Sequence, residues 1–255
     1  MLTDYDFKSS YNRIDDDIAG DFYLPCMMSS VRYDRISGFF GSTVYVIAWK
    51  ALKAFIANGG KMRIICSPVI SDDDKAALET GNNAQTDKVL AKLLTREFTE
   101  MLQDQNLVAS SKLLACLVAT GILSIKIGVV IKNGHPTVQS MFHDKIGIFT
   151  DEQGNAVGFR GSFNETFKGL SNDGNIESAD VFQSWDGGKE QQRVETSVDL
   201  FERIWNGKAA HSVQVYDLPQ AINDRIFEIA DKTDFNALLD EIRISANSEE
   251  RWKPD

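Results

Sequence analysis

The residues best equipped for chemistry lie in Phe142-His143-Asp144-Lys145-Ile146-Gly147-Ile148-Phe149, followed one turn later by Gly161-Ser162-Phe163-Asn164. A histidine and a lysine at spacing i, i+2 in an apolar run project from the same face of a strand. One nucleophile, one fixed cation and the small polar groups of Ser162 and Asn164 suit an oxyanionic group, with phosphate the natural choice. A lysine facing inward is costly to bury unless an anion pairs with it, so Lys145 asks for such a ligand. Glu177, in Asn175-Ile176-Glu177, offers a carboxylate to the Nδ1 proton of His143, which would leave Nε2 free to attack.

The elements that must position these groups alternate between strand and helix. Arg32–Phe40 reads as a strand. The stripe Val44, Ile47, Ala48, Ala51, Leu52, Phe55, Ile56 has helical spacing and stops at Gly59-Gly60, and Met62–Cys66 reads as a short buried strand. That order predicts a βαβ unit with parallel pairing and a right-handed crossover. Ser71-Asp72-Asp73-Asp74 reads as a capped helix start with acids near the positive dipole end, not as a metal cluster. Helices are predicted over Asp87–Gln103 and Leu113–Val118.

Leu123–Ile131 and Gln139–Thr150 are predicted strands joined through the turn Asn133-Gly134-His135-Pro136. Asp151–Asn155 is a second hairpin turn into the strand Ala156–Gly161, and Asn175–Trp185 is a further strand. Val194, Val198, Phe201, Ile204 and Trp205 mark a helix, Val213–Tyr216 an edge strand, and Pro219 the first turn of a helix reaching about Ala230. A last short helix covers Leu238–Ile244. The fold class is α/β, a mixed β-sheet with helices on both faces. Residues 1–217 are expected to form the catalytic domain and 218–255 a C-terminal helical extension, a linker toward a further domain.

Composition narrows the class. With 43% hydrophobic and 25% charged residues the chain is an ordinary globular sequence. It has no apolar run long enough for a membrane span and its acidic N-terminus has no signal-peptide core, so a cytoplasmic protein is expected. Cys26, Cys66 and Cys116 are scattered and read as reduced, buried thiols. The net charge of −10 argues against a generally basic nucleic-acid binder, yet residues 1–21 and 221–255 carry −4 each, which leaves the body at −2. A local basic cleft is compatible with that body.

His143-x-Lys145, Gly161-Ser162-x-Asn164 and Glu177 together resemble the signature of the phospholipase D superfamily, over about residues 139–185. The single-motif nuclease branch is the best match. The family pattern places an aspartate seven residues after the histidine; here Thr150 stands there and Asp151 follows. The resemblance implies a phospholipase D-like fold and a covalent phosphohistidine mechanism without metal or cofactor. His143 would be the nucleophile, Lys145, Ser162 and Asn164 the ligands of the non-bridging oxygens, and Glu177 the residue that orients His143. Arg160 and Lys168 flank this set and are expected to touch neighbouring phosphates.

Neither His135 nor His211 has a lysine two residues on, so the chain supplies half of a two-histidine site. A homodimer completing the site across a two-fold axis is the expected solution. The family's single-motif members and the lack of a basic amphipathic helix favour a nuclease acting on DNA over a membrane-bound lipase. Similar domains occur at the N-termini of bacterial helicase and restriction proteins, and Arg251-Trp252-Lys253-Pro254-Asp255 resembles the approach to a helicase's first motif. A helicase domain or subunit, in restriction or phage defence, is therefore an expected partner. A silent phosphate- or nucleic-acid-binding module and a phospholipid phosphodiesterase or transferase remain alternatives.

Overall fold

The computed structural model describes residues 1–38, 40, 41, 44, 48–67, 92, 99, 108–137, 142–171 and 174–240. The expected helix Asp87–Gln103, the Ser71–Asp74 cluster and residues 241–255 lie outside these. The strands are β1 (Ser10–Asn12), β2 (Arg32–Ser37), β3 (Lys61–Cys66), β4 (Leu123–Lys132), β5 (His135–Pro136), β6 (Ile146–Thr150), β7 (Ala156–Gly161), β8 (Ser178–Gln183) and β9 (Val213–Asp217). They form one mixed sheet in the order β1-β8-β7-β6-β2-β3-β4-β5, with β9 also paired to β4. β2, β3 and β4 run parallel, and every other ladder is antiparallel.

The expected βαβ unit is β2, α2 (Trp49–Ala57) and β3. A second crossover carries α3 (Val108–Ala119) into β4. The β4–β5 turn places Asn133 and Gly134 at φ 53° and 80°, the left-handed pair that suits a tight hairpin. The sequence gave no sign of a π-helix at Ile18–Tyr23 that runs into α1 (Leu24–Met28), nor of edge strand β1.

Strand alternation sorts the side chains into two cores. On one face Tyr33, Phe149, Val157 and Phe159 pack against Phe22, Tyr23, Met27, Leu52, Phe55 and Leu114. On the other, Ile36, Ile146, Ile148 and Phe182 pack against Val194, Phe201 and Ile204 of α5 (Gly188–Trp205). Helices therefore cover both faces, as the sequence predicts. Arg63 fastens α5 to the sheet through Asp34 at 2.7 and 2.8 Å and Glu202 at 2.6 Å.

The segment expected as an extension from residue 218 joins the first core. Leu218, Ile222, Ile226, Leu238 and Leu239 are all buried there, and α6 (Gln220–Asp231) packs on α3. All three cysteines are buried and unbridged. Among the described residues no helix is long and apolar enough to cross a membrane.

Candidate active site

The site lies where β2 ends, under the segment that enters β6. The sequence places His143 and Lys145 within a strand, but the ladder begins only at Ile146. The Lys145 amide donates to Asp144 Oδ1 at 3.0 Å instead of to a neighbouring strand, which delays the pairing by these residues. The two side chains nevertheless converge. Lys145 Nζ lies 3.0 Å from Nε2 and 3.2 Å from Nδ1 of His143, and donates to the His143 carbonyl at 3.2 Å. His143 is exposed while Lys145 is only 7% exposed.

Gly38 forms the floor. A Cβ built there would stand 2.9 Å from His143 Cδ2 and 3.2 Å from Asn164 Oδ1. Those contacts place the imidazole and the Asn164 amide side by side. Ser37 locks the approach from below: its Oγ accepts from the Glu165 amide at 3.0 Å and lies 3.5 Å from Asn164 Oδ1. Phe40 bridges to Glu165, and the Gly41 amide donates to the Glu165 carbonyl at 2.9 Å. The turn that carries Ser162 and Asn164 is thus tied to the chain leaving β2.

Beneath it lies a buried charged layer that sequence reasoning missed. Arg35 and Glu165 are both fully buried and paired at 2.9 Å. Glu165 also accepts from Tyr33 Oη at 2.9 Å and from Tyr23 Oη. Arg35 donates to the Phe163 carbonyl at 2.6 Å, and its guanidinium sits 4.9 and 5.0 Å from the ring centroids of Phe159 and Phe163. Gly147 makes room for this, since a Cβ there would fall 2.0 Å from the Phe159 ring. The available signal was Arg35 inside an apolar strand and Glu165 directly after the Gly-Ser-x-Asn turn.

Burial pushes the Lys145 ammonium below its ordinary value of 10.5 and the Arg35 charge adds to the effect, while Glu177 and Asp144 oppose it. Lys145 is therefore a desolvated cation beside a second cation, a place that an anion would relieve.

Glu177 takes a different role from the expected one. Its carboxylate accepts from Ser162 Oγ and from Asn175 Nδ2 at 3.2 Å, and the His143 ring meets Lys145 instead. The geometric reason is the β7–β8 register: Ser162 Oγ also accepts from the Ser178 amide at 3.0 Å, which draws Ser162 onto the start of β8 beside Glu177. Glu177 still acts on Lys145 through space.

Arg160 and Lys168 border the site without entering it. Arg160 projects toward the α5 face, and its Nη1 lies 3.9 Å from Asp144 Oδ2. Lys168 is exposed on the short helix α4 (Phe167–Leu170). His135 lies in β5 and His211 in the loop before β9, so both attach to β4, three strands along the sheet from β6. Asp151, next to Thr150, accepts from the amides of Leu2 at 3.2 Å, Gln153 at 3.0 Å and Asn155 at 2.9 Å, and so shapes the β6–β7 turn.

No protein-family model matches the chain, and no curated protein matches it. Among solved structures it is similar to NucT from Helicobacter pylori at 14% identity, with 81% of this chain and 97% of that chain covered and a TM-score of 0.41. Nuc from Salmonella typhimurium, a phospholipase D family member, is 14% identical over 76% of this chain and 88% of that chain, at 0.39. A phosphatidylserine synthase from Haemophilus influenzae is 8% identical over 93% of this chain and 46% of that chain, at 0.44.

Proposed function

We propose that the chain is a metal-independent phosphodiesterase of phospholipase D type, a nuclease acting on DNA through a phosphohistidine on His143. One observation carries the reading: the imidazole of His143, the desolvated ammonium of Lys145 and the amide of Asn164 converge over Gly38. A phosphate seated there meets a nucleophile on one side and a cation that lacks an anionic partner in the structure.

In the first step His143 Nε2 forms a bond to phosphorus while the bond to the leaving oxygen breaks. Lys145 and Asn164 hold the non-bridging oxygens as charge builds on them. The leaving alkoxide takes a proton from the His143 imidazolium of a second copy. That imidazole, now neutral, takes a proton from water as the water oxygen attacks phosphorus and the N–P bond breaks. A phosphomonoester leaves and both histidines return to their starting states. Ser162, held by Glu177, fixes the turn that presents Asn164.

The test uses bis(p-nitrophenyl) phosphate and single-stranded DNA in the presence of chelator. Hydrolysis of both is expected, with an acid-labile, base-stable phosphoenzyme that is missing in His143→Asn. Activity retained by that variant, or lost to chelator and restored by magnesium, would overturn the reading.

A further inference from the structure

Beside the site, between β7–β8 and the start of α5, lies a cavity of about 430 Å³. Arg160, Lys189 and Arg193 line it, together with Phe182 and one carboxylate, Glu190. On a chain of net charge −10, three cations around one hollow are a local exception. We propose that this cavity is a second phosphate subsite, which holds the backbone of a single-stranded nucleic acid next to the diester at His143. This inference rests on the phosphodiesterase reading above.

Arg160 links the two places. Its guanidinium lines the cavity and lies 3.9 Å from Asp144, the residue between His143 and Lys145. Both members of that pair are more than two-fifths exposed, so it is a weak contact that a phosphate can replace. A strand with one phosphate over Gly38 therefore meets Arg160 at the next turn of its backbone.

The lining chemistry selects a polyanion over acyl chains. Phe182, the apolar member, is buried and roofed by the Arg193 guanidinium 4.0 Å from its ring centroid. That stack holds the Arg193 fork in place for the paired oxygens of a phosphate. Arg193 also stands 3.6 Å from Glu190 on the helix surface, an exposed i, i+3 pair that competes only weakly.

Two readouts separate this subsite from the chemistry. Fluorescence anisotropy of a 5′-labelled 12-nucleotide single strand measures binding without turnover, and bis(p-nitrophenyl) phosphate measures turnover without a second phosphate. Lys189→Ala/Arg193→Ala is expected to weaken strand binding about tenfold and to reduce its log–log salt slope by between one and two. Its kcat/KM for the small diester should stay within about twofold of wild type, which also shows that the fold is intact. Glu190→Gln should tighten strand binding. Unchanged affinity and salt slope in the double variant would overturn the subsite even if the enzyme cleaves DNA. A shift in binding by a chain that cleaves neither substrate would leave the subsite standing and remove the phosphodiesterase.

Discussion

Arg35 and Glu165 meet at 2.9 Å with no solvent access to either side chain, directly below the turn that presents Asn164. Breaking such a pair from one side strands a buried charge and costs about 3–5 kcal/mol. Arg35→Met is therefore expected to lose that much in urea unfolding. Arg35→Met/Glu165→Gln should lose clearly less than the sum of the two single changes, because neither charge is then orphaned. Simple additivity of the two losses would refute the coupling.

Gly38 is the position where activity and stability should part. A methyl group there meets the His143 ring and Asn164 Oδ1 and pushes at least one of them aside. His143 is exposed and gives way at little cost to the fold, but displacing a reacting group by about 1 Å can cost on the order of 100-fold in rate. Gly38→Ala should lower kcat/KM for bis(p-nitrophenyl) phosphate by tenfold or more while the melting temperature moves by only about 2 °C. Equal activity of the two proteins would show that the ring does not need that floor.

Lys145 is held below 10.5 chiefly by burial and then by Arg35. A lysine whose folded value is depressed binds its proton less well in the native state than in the unfolded chain. Its charge therefore opposes folding at neutral pH, and this cost fades as pH rises through the folded value toward 10.5. Lys145→Met is predicted to abolish hydrolysis and yet raise stability by about 1 kcal/mol at pH 7, with the gain shrinking by pH 10. A variant less stable than wild type at pH 7 would contradict this. Inorganic phosphate should raise the melting temperature of wild type and not of the variant.

The two-copy site predicts quadratic kinetics. Mixing wild-type and His143→Asn chains through an unfolding and refolding step should give activity that falls as the square of the wild-type fraction. A linear fall would rule out catalysis shared across the axis. The surface offers a contact for such pairing: Ile14 and Ile176 are 78% and 72% exposed and flank the residues of the Arg13–Glu177 backbone hydrogen bond. Ile176→Asp is expected to shift the mass seen by light scattering from dimer to monomer and to remove hydrolysis with it.

Much of the fold was legible because its signals are local. Alternation in Leu123–Ile131, the helical stripe through Leu52 and Phe55, and the Asn133-Gly134 turn each specify an element from a few neighbouring residues. The N-terminal segment was not legible in this way. Ile18–Met28 folds around Phe22 and Tyr23, whose rings meet Phe159, Tyr33 and Phe149 far along the chain. No pattern inside that segment announces those partners. The site divides along the same line, since His143, Lys145, Ser162 and Asn164 stand in short motifs whereas Arg35 and Glu165 are 130 residues apart.

The order of residues by itself determined which groups are present and that His143 and Lys145 share a face, because a two-residue spacing in extended chain is a matter of backbone geometry. Only the tertiary structure decided what meets them. It set Glu177 against Ser162, turned Arg160 toward α5 and slid the Arg35–Glu165 pair under the site. Those outcomes follow from ladder register and close packing between distant segments, which fix side-chain partners through contacts that no local window of sequence contains.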